Sequence, residues 1–204
     1  MFTGIVTDVG AVRTLKQRGD TRFEIETSYV TSGIDIGASI ACSGVCLTVV
    51  EIGVDWFAVD VSAETLGRSS LRSWGVGTRI NLERSLAMGD ELGGHLVSGH
   101  VDAVGSVVSL ESDGDSVRFV FRAPVEVAPF VAEKGSIAIN GVSLTVNSVE
   151  DDDTGCQFGI NVIPHTQEVT TFGDLKPGDA VNLEIDMLAR YMQRMLSSRH
   201  GVKN

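Results

Sequence analysis

Basic residues are scarce in this sequence: 16 Lys and Arg residues stand against 27 Asp and Glu residues, and the formal net charge is −11. Partners such as a phosphate backbone or an anionic membrane need concentrated Lys and Arg, so the charge argues against both. No run approaches the roughly 20 apolar residues of a membrane helix. The start lacks the basic and long apolar regions of a signal peptide. The cytoplasm is the expected location.

Cysteine is scarce as well. Cys42, Cys46 and Cys156 form an odd set in a chain without an export signal, which predicts free thiols rather than disulfides. Cys42 and Cys46 have the spacing of half a metal site, but no second pair follows and the four histidines are dispersed. We therefore expect no metal, and we interpret Cys42 as a buried thiol.

Proline is rare and glycine is frequent, at 4 and 23 residues. The glycines separate short segments in which apolar and polar residues alternate, such as residues 23–27 and 57–61, and this alternation predicts strands. Strand-sized runs with tight turns favour a small antiparallel barrel over a parallel α/β sheet. Short helices are expected at 28–34 and 124–130.

The chain is a duplication. The segment SIACSGVCLTV, which begins at Ser39, returns as SIAINGVSLTV from Ser136, and further matches keep nearly the same spacing. We predict an all-β fold of two tandem antiparallel barrels, residues 1–96 and 97–186, each with its own small core. Two similar barrels imply two similar pockets, so the positions at which the repeats differ are the informative ones.

The last segment, 187–204, has a different pattern from the barrels. Its apolar residues recur at helical spacing and mark one face of a helix: Leu188, Tyr191, Met192, Met195 and Leu196. Asp186 is expected to cap the start of this helix and Gly201 to end it. The apolar face either folds back on its own barrel or packs on copies of itself in an oligomer.

The two repeats differ in chemistry at their matched turn and strand. Cys46 and Thr48 alternate with buried leucine and valine positions in the first repeat, as Ser143 and Thr145 do in the second. Each half thus presents two small polar groups side by side, which suit hydrogen bonds to the imide edge of a flat heterocycle. Their alternative role is purely structural, but unpaired buried hydroxyls cost about 1–3 kcal/mol.

Histidines stand where the first repeat has none. His100 in SGHV replaces Ile5 of TGIV, and His165 replaces Glu64. A histidine beside a glycine that admits a ligand can move protons near neutral pH. His95 lies in the linker, where it has a weaker claim and is expected to pin the barrels together.

A second pocket wall is expected at two matched strand ends. The segment DVSAET begins at Asp60 and NVIPHT begins at Asn161. The alternative is that each segment is simply a solvated strand end. Lys134 precedes a Gly-Ser turn, from which it could face an anionic group of a ligand.

Together these segments resemble the riboflavin synthase family, alpha type, which is built from two lumazine-binding repeats. The resemblance rests on MFTGIV, GVCLTV with GVSLTV, GGHLVSGHVD and VIPHT, and it covers the chain to about Ile185. It implies two six-stranded Greek-key barrels with short helices and a C-terminal helix. It also implies a transferase reaction of riboflavin biosynthesis: two molecules of 6,7-dimethyl-8-ribityllumazine dismutate by four-carbon transfer to riboflavin and 5-amino-6-(ribitylamino)uracil. No cofactor or metal is implied.

The resemblance also implies the assembly and the site. The family forms homotrimers in which the N-terminal barrel of one subunit faces the C-terminal barrel of the next, and association with lumazine synthase is left open. Carried over by position, the first pocket contains Phe2, Gly4, Ile5, Val6, Ser39, Cys46, Leu47, Thr48, Asp60, Val61, Ser62, Ala63, Glu64 and Thr65. The second contains Gly99, His100, Val101, Lys134, Ser143, Leu144, Thr145, Asn161, Val162, Ile163, Pro164, His165 and Thr166. Cys46, His100 and Ser143 are the expected catalytic residues, with Phe2 shaping the site.

Two other functions compete with this one. A lumazine-carrying antenna protein of the same fold would hold its ligand without converting it. Such a protein need not keep Cys46, His100 and Ser143 together, and this chain has all three. A structural or nucleic-acid-binding barrel is disfavoured by the acidic charge and by the few aromatic residues, 6% of the chain.

Overall fold

Twelve strands form two closed antiparallel barrels in the computed structural model, which describes residues 1–199. The strands of the first barrel are β1 Asp8–Arg18, β2 Asp20–Glu26, β3 Ser39–Cys42, β4 Val45–Ile52, β5 Trp56–Val61 and β6 Arg79–Arg84. Those of the second are β7 Ala103–Asp113, β8 Ser116–Pro124, β9 Ser136–Ile139, β10 Val142–Asp152, β11 Gly155–Val162 and β12 Ala180–Ile185. The predicted all-β, two-barrel architecture is confirmed.

Both barrels have the same strand order. Around the first barrel the order is β1-β2-β5-β4-β3-β6, and the second repeats it with its own six strands. In the first barrel β3, β4 and β5 form a meander, and β2 lies beside its last strand, β5. In the second barrel β8 lies beside β11 in the same way. This arrangement is a Greek key. Bulges also recur at matching places, between Val12 and Thr14 in β1 and between Val107 and Ser109 in β7. The duplication thus extends to backbone irregularities.

Each barrel encloses its own apolar core because apolar side chains alternate along its strands. In β2 every second residue is buried. The first core includes Phe23, Ile25, Phe57, Val59, Ile80 and Leu82. The second includes the aromatic cluster Phe119, Phe121, Phe158 and Phe172. The leucine and valine positions of the repeated strand belong to these cores, as the alternation predicted.

Two tight turns meet where the barrels touch. Ser43-Gly44 joins β3 to β4 and Asn140-Gly141 joins β9 to β10, and all four residues have positive φ, as a type I′ hairpin turn requires. A Cβ atom on Gly44 would lie 2.8 Å from the Gly141 nitrogen, and one on Gly141 would lie 2.7 Å from the Gly44 nitrogen. The glycines therefore allow the two turns to pack backbone against backbone.

Buried asparagines fasten this junction with near twofold symmetry. Asn81 on β6 donates from its side-chain amide to the carbonyl of Asn140, and Asn182 on β12 donates to the carbonyl of Ser43, both at 2.9 Å. The Oδ1 atom of each asparagine accepts a backbone N–H from the opposite barrel, at 2.8 and 2.7 Å. The two barrels are therefore held in one defined relation.

The segments that lead into β1 and β7 cross between the barrels. Val6 packs against the core of the second barrel, while Val101 packs against the core of the first. Earlier in the same segments, Phe2 and Val97 pair with each other through backbone hydrogen bonds of 2.8 and 3.1 Å. Each barrel is thus completed by a segment from the other repeat.

In the part of the chain that the structure describes, three α-helices accompany the barrels: α1 Ala63–Arg68, α2 Pro164–Val169 and α3 Met187–Arg199. The C-terminal helix predicted from apolar spacing is confirmed, and Asp186 caps it by accepting the Leu188 N–H at 2.8 Å. The predicted helix end at Gly201 lies outside the described residues. None of the helices within residues 1–199 has the length and apolar content needed to cross a membrane.

The helices predicted at 28–34 and 124–130 were wrong in extent. The structure has only single 3₁₀ turns there, Thr31–Gly33 and Ala128–Phe130. Instead, α1 and α2 follow β5 and β11. Each of these helices has six residues and begins directly after a strand. At the start of α1, the Ser62 hydroxyl accepts the Thr65 N–H at 3.2 Å. At the start of α2 stands Pro164, a residue that suits the first position of a helix.

Candidate functional site

A cavity of about 240 Å³ opens beside the first residues of β4. Its lining comes from three places in the chain: Val45 and Cys46 on β4, Glu64, Thr65, Arg68 and Ser69 on and after α1, and Gly99, His100 and Val101 from the crossing segment. The strand end that was predicted as a second pocket wall therefore supplies two of its residues, Glu64 and Thr65. A thiol, a carboxylate, a hydroxyl and an imidazole share this cavity.

Gly99 brings His100 to this cavity. It has φ of 79°, a conformation that glycine adopts without strain, and a Cβ atom there would lie 2.6 Å from the Cβ of Cys46. The Cys46 N–H donates to the Gly99 carbonyl at 2.8 Å. The segment thus docks on β4 backbone to backbone, which leaves the His100 side chain exposed at the cavity mouth.

A buried carboxylate fixes the same turn. Glu184 on β12 accepts the N–H of Ser98 at 2.6 Å, the Ser98 hydroxyl at 2.6 Å and the N–H of Gly99 at 2.9 Å. Burial raises the pKa of Glu184, although the three donors favour its charged form. Its role is to hold the glycine turn in place.

The other repeat builds the mirror arrangement around Ser143. Gly4 has φ of 76°, and a Cβ atom on it would lie 2.6 Å from the Cβ of Ser143, whose N–H donates to the Gly4 carbonyl at 2.8 Å. Glu83 on β6 accepts from the Thr3 N–H at 2.6 Å, the Thr3 hydroxyl at 2.7 Å and the Gly4 N–H at 2.9 Å. Burial raises the pKa of Glu83 as well.

This geometry corrects the predicted grouping of residues. We expected Gly4, Ile5 and Val6 to share the pocket of Cys46, and Gly99, His100 and Val101 to share that of Ser143. Within one chain the grouping is the reverse, because each leading segment crosses to the other barrel. Cys46 and His100 therefore line one cavity, whereas Ser143 lies at the other site with Gly4.

Sequence reasoning undervalued His95. The Nδ1 atom of its ring lies 2.7 Å from the Ser143 hydroxyl. Its backbone N–H donates to the Thr3 carbonyl at 3.1 Å. Burial lowers the pKa of His95, and the charge of Asp186 opposes that effect. The signal available in the sequence was GGH just before SGH, a second histidine preceded by glycine in the joint between the repeats.

Phe2 and Cys42 are both buried, but in different clusters. Phe2 is fully buried in a small cluster with Ala41, Val97 and Ala138, against which Cys46 packs. Cys42 is buried in the first barrel core, and burial raises the pKa of its thiol. Phe2 therefore supports the wall that carries Cys46, while Cys42 is the buried thiol that was predicted.

Several other predicted residues lie in the surrounding framework. Leu47, Val61 and Val162 are buried in the cores, and Leu144 is half-buried against the second core. Ser62, Ala63, Ile163 and Pro164 form the starts of α1 and α2. Ser39 is half-buried on β3 and pairs with the exposed Thr48 on β4. These residues set the position of the site more than they line it.

The remaining predicted residues are exposed or half-buried. Thr145, Asn161 and His165 are exposed, and Thr166 is half-buried on α2. Asp60 does not line the Cys46 cavity; it lies in a separate polar groove, where it forms an ion pair of 3.4 Å with Arg22. The structure thus separates Asp60 from Glu64 and Thr65.

Lys134 adopts an unfavourable backbone conformation. Its φ is 64°, where the matching position in the first repeat has Gly37 with φ of 89°. The left-handed conformation costs a non-glycine residue roughly 1–2 kcal/mol. This strain belongs to the turn before β9, where the Lys134 N–H donates to the Val146 carbonyl at 2.8 Å.

Within residues 1–199, no group of three or more His, Cys, Asp and Glu side chains is arranged to hold a metal ion. The three cysteines in that range are all free thiols. What the two sites offer is hydrogen bonding, proton transfer and a thiol or hydroxyl nucleophile.

Comparison with known proteins identifies both repeats. The model of the lumazine binding domain matches the chain twice, over residues 3–85 and 98–186. A riboflavin synthase from Brucella abortus (strain 2308) is 51% identical over 201 residues, which cover 96% of this chain and 98% of that protein. The riboflavin synthase of Mycobacterium bovis (strain ATCC BAA-935 / AF2122/97) is 44% identical, with 97% and 99% covered.

Solved structures are also similar to this chain over nearly its full length. LumP complexed with riboflavin superposes with a TM-score of 0.81 at 25% identity, covering 91% of this chain and 99% of that chain. LumP complexed with 6,7-dimethyl-8-(1'-D-ribityl) lumazine gives a TM-score of 0.79 at 26% identity, with 90% and 98% covered. In both complexes the similarity extends over nearly the full length of LumP.

Proposed function

Because this chain belongs to the riboflavin synthase family, we propose that it converts two molecules of 6,7-dimethyl-8-ribityllumazine into riboflavin and 5-amino-6-(ribitylamino)uracil. One observation carries the proposal: the lumazine binding domain occurs twice, and the paired sites bear different reactive groups. Cys46 and Ser143 occupy matched positions, each covered by a matched glycine turn. Two identical ligands bound beside different reactive groups can take different roles, as a reaction between two identical molecules requires.

The duplication suits a reaction in which donor and acceptor are the same compound. A protein that holds both molecules in a reactive arrangement needs two similar pockets. Holding two reactants in register can supply about 7–11 kcal/mol toward the barrier, so positioning is a large part of the catalysis. We propose that the α1 wall with Glu64 and Thr65 and the α2 wall with His165 and Thr166 bind the two ligands.

The remaining chemistry is proton transfer and addition. The 7-methyl group of one lumazine must lose a proton, and a nucleophile must add at C7 of the other. Cys46 and His100 line one cavity and offer a thiol and an imidazole, while Ser143 offers a hydroxyl at the other site. We assign these three residues to the chemistry. Phe2 supports them from beneath by packing against Cys46.

We also propose a homotrimer in which the N-terminal barrel of one subunit faces the C-terminal barrel of the next. The support is α3, whose Leu188, Tyr191 and Met192 are 70%, 62% and 64% exposed. The ion pair of Arg190 with Asp102, at 2.8 Å, fixes the base of the helix to the second barrel. This leaves the apolar side chains available to other copies. On this proposal residues 1–96 and 97–186 are the two ligand-binding units, and the helix that follows joins the subunits.

We place the enzyme in the cytoplasm. The support is the set of free thiols Cys42, Cys46 and Cys156, which a reducing compartment preserves.

The test is to incubate the purified protein with 6,7-dimethyl-8-ribityllumazine alone and follow riboflavin by absorbance. We expect about one riboflavin for every two lumazines consumed, without added metal or nucleotide. The second candidate, a lumazine-carrying antenna protein, is favoured by the resemblance to LumP. It predicts bound lumazine that is recovered unchanged, and that outcome would reject the enzymatic proposal.

A further inference from the structure

The side chain of His95 bridges the linker to the second repeat's strand. Its Nδ1 atom is 2.7 Å from the Oγ atom of Ser143, 48 positions further along the chain. Its backbone N–H donates to the Thr3 carbonyl at 3.1 Å, so the residue is held at both ends. These two hydrogen bonds hold the imidazole in a defined position beside the Ser143 hydroxyl.

Gly94 makes this approach possible. A Cβ atom at that position would lie 2.8 Å from the Cβ and 2.9 Å from the Oγ of Ser143. Any side chain there would collide with the serine or push the linker away from it. The glycine thus lets the backbone before His95 lie directly over Ser143.

The second ring nitrogen of His95 is unsatisfied. Across the described range 1–199, His95 Nε2 and Thr14 Oγ1 are the side-chain polar atoms that are buried without a hydrogen-bond partner. An orphaned buried polar atom costs free energy, and an observed exception calls for a functional reason. The charged group that acts on the pKa of the ring is Asp186, while Glu83 holds Thr3, whose carbonyl accepts the backbone N–H of His95.

We propose that His95 is the proton acceptor for Ser143, so that the hydroxyl at the second site is an activated group. His95 acts through Ser143 and is a positioning residue. The inference rests on the proposed riboflavin synthase function and adds to it a proton-transfer pair separate from the Cys46 and His100 cavity. Ser143 alone would be a weak nucleophile at neutral pH, and an adjacent imidazole is a recurrent way to activate it.

The proton balance is as follows. Neutral His95 carries its proton on Nε2 and accepts the Ser143 hydroxyl at Nδ1. As Oγ bonds to C7 of a lumazine, the O–H bond breaks, its electron pair forms the new bond, and the proton moves to Nδ1. The conjugated pteridine takes up the displaced pair. On departure the C7–O bond breaks, the pair returns to Oγ and Nδ1 gives the proton back, while the Asp186 charge favours the transient imidazolium.

The test uses the full chain with His95→Asn. The asparagine side chain can still accept the Ser143 hydrogen bond near the Nδ1 position, but it cannot take a proton. We expect kcat to fall on the order of 100-fold, the range of general base catalysis, with the dissociation constant for lumazine nearly unchanged. Because burial lowers the pKa of His95, the ring becomes protonated only at a pH below the ordinary titration range of histidine, and the wild-type advantage over this variant should shrink only there.

A cycle with Ser143→Ala separates this role from a structural one. If His95 acts through Ser143, the serine change should cost little more once His95→Asn is present. Met88→Ala, fully exposed in the same linker, is the matched control and should behave as wild type. A rate ratio independent of pH, or additive losses, would overturn the inference while wild-type riboflavin formation stands. Absence of riboflavin from the wild type would instead reject the proposed function.

Discussion

Ser43 and Asn140 occupy equal places in the two turns that meet between the barrels, with φ of 44° and 46°. Asparagine tolerates this left-handed conformation better than serine. The side chains also differ in reach: Asn140 Oδ1 accepts the Asn182 N–H at 2.8 Å, whereas Ser43 Oγ accepts the Asn81 N–H at 3.3 Å. The first repeat therefore carries the weaker turn.

From this we predict that Ser43→Asn raises the free energy of unfolding by about 0.5–1 kcal/mol. The reciprocal change Asn140→Ser should lower it by a similar amount. Urea denaturation of the two variants and the wild type measures both effects. Loss of stability in Ser43→Asn would show that the serine, and not the conformation, sets the strength of this turn.

Some residues of the candidate site could be predicted from the sequence and others could not. Cys46 and Ser143 were found because duplication aligns them and displays their difference. His95 was undervalued because its partner is remote in the sequence, and no local pattern brings an imidazole onto that serine. The strain at Lys134 was equally invisible, since a positive φ in a non-glycine residue is a property of the folded turn.

At the scale of elements, the last strand of each barrel acts on the glycine turn that opens the same repeat. Glu184 on β12 holds Ser98 and Gly99 through three hydrogen bonds, and these place His100 beside Cys46. An amide at residue 184 can accept at one atom only, and its NH₂ group would face a backbone N–H. One buried donor would then be left unpaired, at a cost of about 1–3 kcal/mol.

Accordingly, Glu184→Gln should weaken lumazine binding at the Cys46 cavity about tenfold, since 1.4 kcal/mol corresponds to a factor of ten. Fluorescence titration with lumazine gives the dissociation constant. Glu150→Gln, on the exposed end of β10, is the control and should bind normally. Unchanged affinity in Glu184→Gln would mean that the turn keeps its place without the carboxylate.

Strand alternation predicted most elements and apolar spacing predicted α3, but the two short helices α1 and α2 were missed. Short helices after β5 and β11 depend on a cap at a strand end, as with Ser62, and their six residues are too few for an apolar period. The predicted helix at 28–34 contains only one 3₁₀ turn, because a few loosely spaced apolar residues do not require a full helix. For α1 and α2 the relevant local signals were the residues at the helix start, Ser62 and Pro164, rather than periodicity.

For the whole molecule, the proposed trimer depends on α3, whose apolar face the barrels leave exposed. The double variant Leu188→Asp, Met192→Asp should sediment as a monomer and lose riboflavin formation on the order of 100-fold or more, because the facing pocket of the neighbour is lost. The melting temperature of the barrels should change little. Gln193→Asp, which adds one negative charge to the same helix without removing an apolar side chain, is the control and should remain a trimer. A trimer that persists in the double variant would contradict this role of α3.

The two-barrel architecture was predictable because duplication shows directly in the sequence. The exchange of Val6 and Val101 between the cores was not. Sequence comparison aligns each leading segment with its own repeat, and nothing in the alignment tells which barrel a segment packs against. The grouping of His100 with Cys46 therefore required the three-dimensional path of the chain.

That exchange bears on how two unlike sites could arise. A solitary repeat would leave its crossing valine without a core to cover, and it could satisfy the contact only by trading segments with a second, identical molecule. Both sites of such a pair would carry the same reactive atom. Covalent fusion of two copies removes that constraint, so that sulfur at residue 46 and oxygen at residue 143 can coexist within one polypeptide.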